Sequence, residues 1–205
     1  GYLVVAVIII ATVGFLMRMN SQAKENEASV QFKNAVNQYQ KDMAASSISF
    51  EAESENKDAE SPEMKVKTKS IGAFQSVYDN YSGTEAGRHA LYMMAVSQLN
   101  QGRYEEAIDT FDNYLSKYPE TILAGSSSLG KATAQFNLER FQESLETLNT
   151  LETKYPDFKL KDVVQYEKAK RLEALERTAD ARAAYVMVIE RYPDSAWKSL
   201  SEQAI

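Results

Sequence analysis

"KYPE" at 117–120, "KYPD" at 154–157 and "RYPD" at 191–194 are one phrase written three times. Tyr118, Tyr155 and Tyr192 stand 37 residues apart, as do Pro119, Pro156 and Pro193. Proline donates no backbone N–H, and it disfavours helical geometry in the residue before it. Each Tyr-Pro therefore ends a helix, and a fixed interval between such endings predicts a repeated structural unit.

The same interval governs the residues around the phrase. Small side chains recur at Ala95, Ala132 and Ala169 and at Ala107, Ser144 and Ala181. Larger ones recur at Phe111, Leu148 and Tyr185 and at Tyr114, Leu151 and Val188. Small residues mark where two helix backbones approach closely, so each unit reads as an antiparallel helix pair. First helices are expected near 87–100, 124–137 and 161–175, and second helices near 104–118, 141–155 and 178–192. The turns between them are "NQGRY", "NLERF" and "ALERT", with Gly102 supplying a left-handed residue in the first copy.

Stepping back 37 residues from Phe111, Tyr114 and Tyr118 gives Phe74, Val77 and Tyr81, with Ser82 in place of the proline. Residues 67–83 thus read as the second half of a degenerate repeat. The full repeats are 84–120, 121–157 and 158–194. A capping helix is expected over 195–205, with Ser195 as its N-cap and Ala196, Leu200 and Ala204 on one face.

Upstream, the first 17 residues carry no charge, and as a helix they would be about 25 Å long. Residues 1–18 are expected to form a transmembrane helix, because a soluble core helix rarely lacks any polar face over such a length. Arg18 and Asn20 stand where a signal-peptide cleavage site would need small residues. The downstream cations Arg18, Lys24 and Lys33 are countered by Glu25 and Glu27, so flanking charge sets no orientation. Residues 19–43 read as an amphipathic stalk or first solenoid helix, with Ala28, Phe32, Ala35, Val36, Tyr39 and Met43 at helical spacing. Residues 44–66 read as an acidic linker or loop, since six acids and one lysine fall within 51–63. That run lacks the glycine and closing glutamate of a calcium loop.

Apolar residues make up 44% of the 205 and charged residues 25%, enough to bury a core. The net charge of −6 opposes nucleic-acid binding, which depends on clustered cations. With no cysteine and one histidine, thiolate nucleophiles, disulfides and histidine-rich metal sites are excluded. No phosphate-binding glycine loop, HExxH or nucleophile elbow occurs. His89 reads as a surface or groove residue, and Glu105 and Glu106 as a solvated helix face. The expectation is a protein that is not an enzyme, with no cofactor, no metal and no small-molecule substrate.

Ala95, Gly102, Tyr104, Ala107, Phe111 and Pro119 resemble the tetratricopeptide repeat. The usual repeat is 34 residues long. Here the excess falls between each proline and the next small residue, so the first helices are expected to be about one turn longer. Bacterial envelope proteins with "YP[ED]" repeats are similar, among them the cell-division coordinator of the Tol-Pal system and the outer-membrane assembly lipoprotein. The layout resembles the ancillary subunit of the Sec translocon. That resemblance implies an all-α, single-pass protein of the bacterial inner membrane, with its repeats in the periplasm beside the translocon and periplasmic chaperones.

Stacked helix pairs form a superhelix whose concave wall is lined by first helices. The repeat phase assigns to it Tyr92, Val96 and Asn100, then Leu129, Thr133 and Asn137, then Tyr166, Lys170 and Glu173. These are the expected partner-binding residues. A competing reading makes Tyr92, Leu129 and Tyr166 packing between repeats or contacts to the chain's own termini. Repeats that clamp acidic chaperone tails carry Lys and Asn on this wall, whereas Tyr92, Val96, Gly130, Val163 and Glu167 occupy the matching positions here. The expected function is a non-catalytic, membrane-anchored adaptor binding segments of protein partners such as translocon, chaperone or envelope-complex subunits. The alternative is a structural subunit of a large envelope machine, such as a flagellar-motor collar or secretion apparatus.

Overall fold

A computed structural model describes the chain over residues 2–55 and 69–205, with side chains described over 18–44 and 69–205. The described residues are all-α. The helices are α1 (Tyr2–Glu55), α2 (Lys69–Tyr81), α3 (Glu85–Asn100), α4 (Tyr104–Lys117), α5 (Leu123–Asn137), α6 (Phe141–Lys154), α7 (Lys161–Ala174), α8 (Thr178–Arg191) and α9 (Lys198–Gln203). They fall into two compact units, Gly1–Ser97 and Gln98–Ile205, and the division lies inside α3.

In the first unit α1 packs along α2. Ala28 and Ala35 are buried at this contact side of α1, and the Phe32 and Tyr39 rings lie 5.9 and 6.3 Å from Phe74 of α2. Carboxylates of α1 cap two other helices. Asp42 Oδ2 accepts the Ser70 N–H at the start of α2, and Glu25 accepts the Glu85 and Ala86 N–H groups at the start of α3. Thr84 Oγ1 takes the next donor, the Gly87 N–H, at 3.0 Å. With the Thr84 N–H on the Tyr81 carbonyl at 2.9 Å, all four orphan donors at the start of α3 thus have partners outside the helix. The segment expected as a stalk or first solenoid helix is bonded in this way to α2 and α3.

The second unit stacks α4 on α5, α5 on α6, α6 on α7, α7 on α8 and α8 on α9. The phased positions form its core: Ala107, Phe111, Ala132, Leu148, Ala169 and Val188 are all buried. Each second helix ends alike, with Tyr118, Tyr155 and Tyr192 as C-caps at φ −133°, −123° and −129°. Their N–H groups still reach back to Tyr114, Leu151 and Val188, while the following proline stops the helix.

The turns within the repeats are also copies of one another. Gly102, Glu139 and Glu176 have φ of 72°, 59° and 57°. The next N–H, from Arg103, Arg140 or Arg177, bonds to the carbonyl of Gln98, Gln135 or Leu172 at 2.9 Å. This is the left-handed helix ending that satisfies otherwise orphan carbonyls.

Three expectations require correction. The acidic stretch from 44 is helical as far as Glu55, because Ala and Glu favour helix even where charge density suggests a loop; the rest of the 44–66 segment, from 56, lies outside the described residues. The first helices are not a full turn longer than the second: α3, α5 and α7 have 16, 15 and 14 residues against 14 in α4, α6 and α8. The extra length of the repeat goes into the connections after the prolines. The capping helix is only Lys198–Gln203, with Trp197 rather than Ser195 as its N-cap residue. Ser195 instead donates to Asp162 and accepts the Trp197 N–H, which delays the helix and turns buried Ser201 inward while Leu200 is exposed. Among the described residues no helix is long and apolar enough to cross a membrane. The expected span at 1–18 falls on residues whose side chains, up to Met17, lie outside the described set.

Candidate partner-binding surfaces

Tyr92 and Val96 lie on α3 in the first unit and are half-buried, while Asn100 is exposed at the end of that helix. In the second unit, Leu129 packs against a cluster containing Ala132, Leu148 and Val164. Thr133 Oγ1 donates to the Leu129 carbonyl, and the exposed Asn137 amide donates to the Thr133 carbonyl. Both polar groups are therefore turned back on α5 and would exchange these bonds for those of a partner.

Tyr166 is held between two rings. It stacks on Trp197 with centroids 4.6 Å apart and tilts against Tyr185 at 5.8 Å. Burial, followed by the Glu167 and Glu173 charges, raises its hydroxyl above the usual tyrosine value. Lys170 Nζ lies 5.2 Å from the Phe136 ring and 5.9 Å from that of Tyr166. Exposed Glu173 accepts the Tyr185 hydroxyl at 2.9 Å, and burial together with that bond raises the Tyr185 hydroxyl as well. Tyr166 and Leu129 thus carry inter-helix packing, and the polar groups most open to a partner are Asn137 and Glu173. His89, in the first unit, lies beside the Phe32 ring with Nε2 3.8 Å from Glu85.

One group escaped notice in the sequence. Arg171 is fully buried, bonded by Nε to Ser144 Oγ at 2.9 Å and ion-paired with Glu167, with its guanidinium carbon 4.4 Å from the centre of the Phe136 ring. Ser144 in turn donates to the Ala132 carbonyl at 2.6 Å. The signal was Ser144 itself, the hydroxyl at a position where the other copies have alanine.

The connections after the prolines enclose a cavity of about 610 Å3 lined by Ile122, Leu123, Tyr155, Pro156, Phe158 and Leu160, among others. Ile122 is 91% exposed and Leu160 45%. Among the described residues no cluster of His, Asp or Glu could hold a metal ion. What these surfaces offer is recognition of a polypeptide by rings, amides and scattered charges.

The family model described as "Tetratricopeptide repeat" matches residues 89–121 and 164–195. These two segments are therefore similar to tetratricopeptide repeats, and they contain the first and third Tyr-Pro phrases. No curated protein matches the chain in a sequence search.

Proposed function

We propose that this protein is a non-catalytic adaptor, tethered to the bacterial inner membrane by residues 1–18, whose repeats bind segments of other proteins in the periplasm. The observation that carries this reading is the set of in-phase helix pairs, with tetratricopeptide repeats matched over 89–121 and 164–195. Such stacks present extended surfaces to partner segments. In the second unit Asn100, Asn137 and Glu173 contribute exposed polar groups, with the half-buried Leu129, Thr133, Tyr166 and Lys170 beside them on their helices, and in the first unit Tyr92 and Val96 are half-buried.

The uncharged first 17 residues support the tether. Anchoring raises local concentration, so weak segment binding becomes productive. The layout of an apolar start followed by repeats supports a place beside the protein-export translocon and its chaperones.

Two measurements test this reading. An alkaline phosphatase fusion after Ile205 is active if the repeats are periplasmic and inactive if they are cytoplasmic. Quantitative co-purification from solubilised membranes yields several substoichiometric partners for an adaptor. A single partner at constant high copy number contradicts it.

A further inference from the structure

The repeat shows where the second unit carries apolar residues that its other copies lack. At the last junction, Ser195 Oγ donates to Asp162 Oδ2 at 2.7 Å. One repeat earlier the same two positions hold Phe158 and Gly125. A Cβ added to Gly125 would lie 2.5 Å from the Phe158 ring, so the ring rests directly on this glycine. The first junction is polar too, with Thr121 Oγ1 bonded to the Tyr114 hydroxyl at 2.9 Å. Ile122 shows the same pattern: its counterparts are Lys159 and Ala196, yet here a 91% exposed isoleucine stands at the cavity rim. The last junction, with Ser195 and Ala196, carries neither apolar residue. Phe158 also packs one side against the Ala132, Leu148, Leu151 and Val164 cluster, so folding accounts for part of it, whereas folding does not account for the 91% exposed Ile122.

We propose that the cavity between the 118–123 and 155–160 connections is a docking site for a partner segment that presents a bulky apolar side chain flanked by carboxylates. This rests on the adaptor reading and adds a site outside the concave wall. Lining sets the apolar part, because about 610 Å3 is ample for a bulky apolar side chain together with its flanking chain against Phe158, Leu160 and Ile122. Charge sets the acidic part. Lys154 and Lys159 line the cavity against one carboxylate, Asp157, so the rim is net positive on a chain whose net charge is −6. An acidic flank is attracted to this rim and disfavoured over the rest of the surface. A second copy of this chain, being acidic overall, matches it less well.

The test uses the full chain kept soluble in amphipol, with isoleucine methyl groups labelled for NMR. The probes are the blocked peptides Ac-Asp-Asp-Leu-Phe-Asp-NH2, Ac-Lys-Lys-Leu-Phe-Lys-NH2 and Ac-Asp-Asp-Ala-Ala-Asp-NH2. The first is expected to shift the Ile122 methyl saturably. The lysine peptide should bind about fivefold more weakly, as one or two screened ion pairs would dictate, and the alanine peptide should not bind.

Phe158→Ser combined with Gly125→Asp installs the hydrogen-bonded pair of the last junction, and it should abolish the shift with the helices intact. Ile122→Lys, at a fully solvated position, should weaken binding without touching the core. No shift at Ile122 with the acidic peptide, or equal binding by the double variant, overturns the proposal. So does a concentration-dependent change at Ile122 without peptide, which would assign the patch to a second copy. If the double variant loses the peptide but keeps partner crosslinks at Asn137, the two surfaces are separate as proposed. If the peptide fails to bind while those crosslinks persist, the cavity site is wrong and the adaptor reading stands.

Discussion

Arg171 Nε donates to Ser144 Oγ across 2.9 Å, joining the first helix of the third repeat to the second helix of the repeat before it. Glu167 balances the charge from the same helix, and the Phe136 ring covers the guanidinium. Removing one partner from such a site strands the others away from water. Arg171→Ala should therefore lower unfolding free energy by about 3 kcal/mol, and Ser144→Ala by about 1 kcal/mol. Arg171→Met combined with Glu167→Gln should recover most of the loss, because an apolar replacement leaves no buried charge. Urea denaturation followed by circular dichroism measures all three.

Close approach explains two glycines. A Cβ at Gly87 would lie 1.9 Å from the Tyr81 carbonyl oxygen, which is backbone, and one at Gly130 would lie 2.3 Å from the ring of buried Phe111. Gly130→Ala should cost about 1 to 3 kcal/mol through overpacking. Gly87→Ala should cost more, since backbone gives way less easily than a ring. Thermal melts of the two variants establish the order.

Glu139 and Glu176 occupy the left-handed position that Gly102 fills in the first repeat. A side chain there is strained by about 1 kcal/mol, and glycine is not. Glu139→Gly and Glu176→Gly should each stabilise the chain by about 0.5 kcal/mol, whereas Gly102→Glu should destabilise it by a similar amount. A rise in melting temperature for the first two and a fall for the third are the expected results.

Asp42 gives the first unit a dependence on acid. Partial burial pushes its carboxyl up, but hydrogen bonds from Gln38 and from the Ser70 amide, with the nearby Lys69 charge, outweigh that and leave it below 3.8. The unfolded chain therefore takes up this proton first as pH falls. The stabilisation is present above about pH 4 and is lost as pH drops through the lowered folded value. Asp42→Ala should be less stable than the parent at pH 7 and converge with it in strong acid, as hydrogen exchange at the Ser70 amide can show.

Much of this fold is legible in the sequence because a 37-residue step repeats both the small residues that admit a second helix and the prolines that end it. Helices α3 to α8 begin and end within a few residues of the expected limits for that reason. Other features have no periodic signature. Glu139 and Glu176 adopt a glycine-like φ that only comparison with Gly102 suggests, and the burial of Arg171 depends on Ser144 being 27 residues away in the chain. Of the residues phased to the concave wall, Asn137 and Glu173 are open, whereas Leu129 and Tyr166 are drawn into packing by their neighbours. Phase alone sets a residue's direction, and the bulk of adjacent side chains decides how far it is covered. The cavity at Phe158 was not legible because it departs from the repeat.

The most direct test of the adaptor account is in-cell crosslinking from a photoreactive amino acid placed at Asn137, which is exposed on α5 and whose replacement removes no core contact. The account predicts several captured proteins, among them translocon subunits, periplasmic chaperones or exported clients, with capture retained when Glu139→Gly stabilises the fold. Capture of one machine component alone, or of this chain itself, would contradict it.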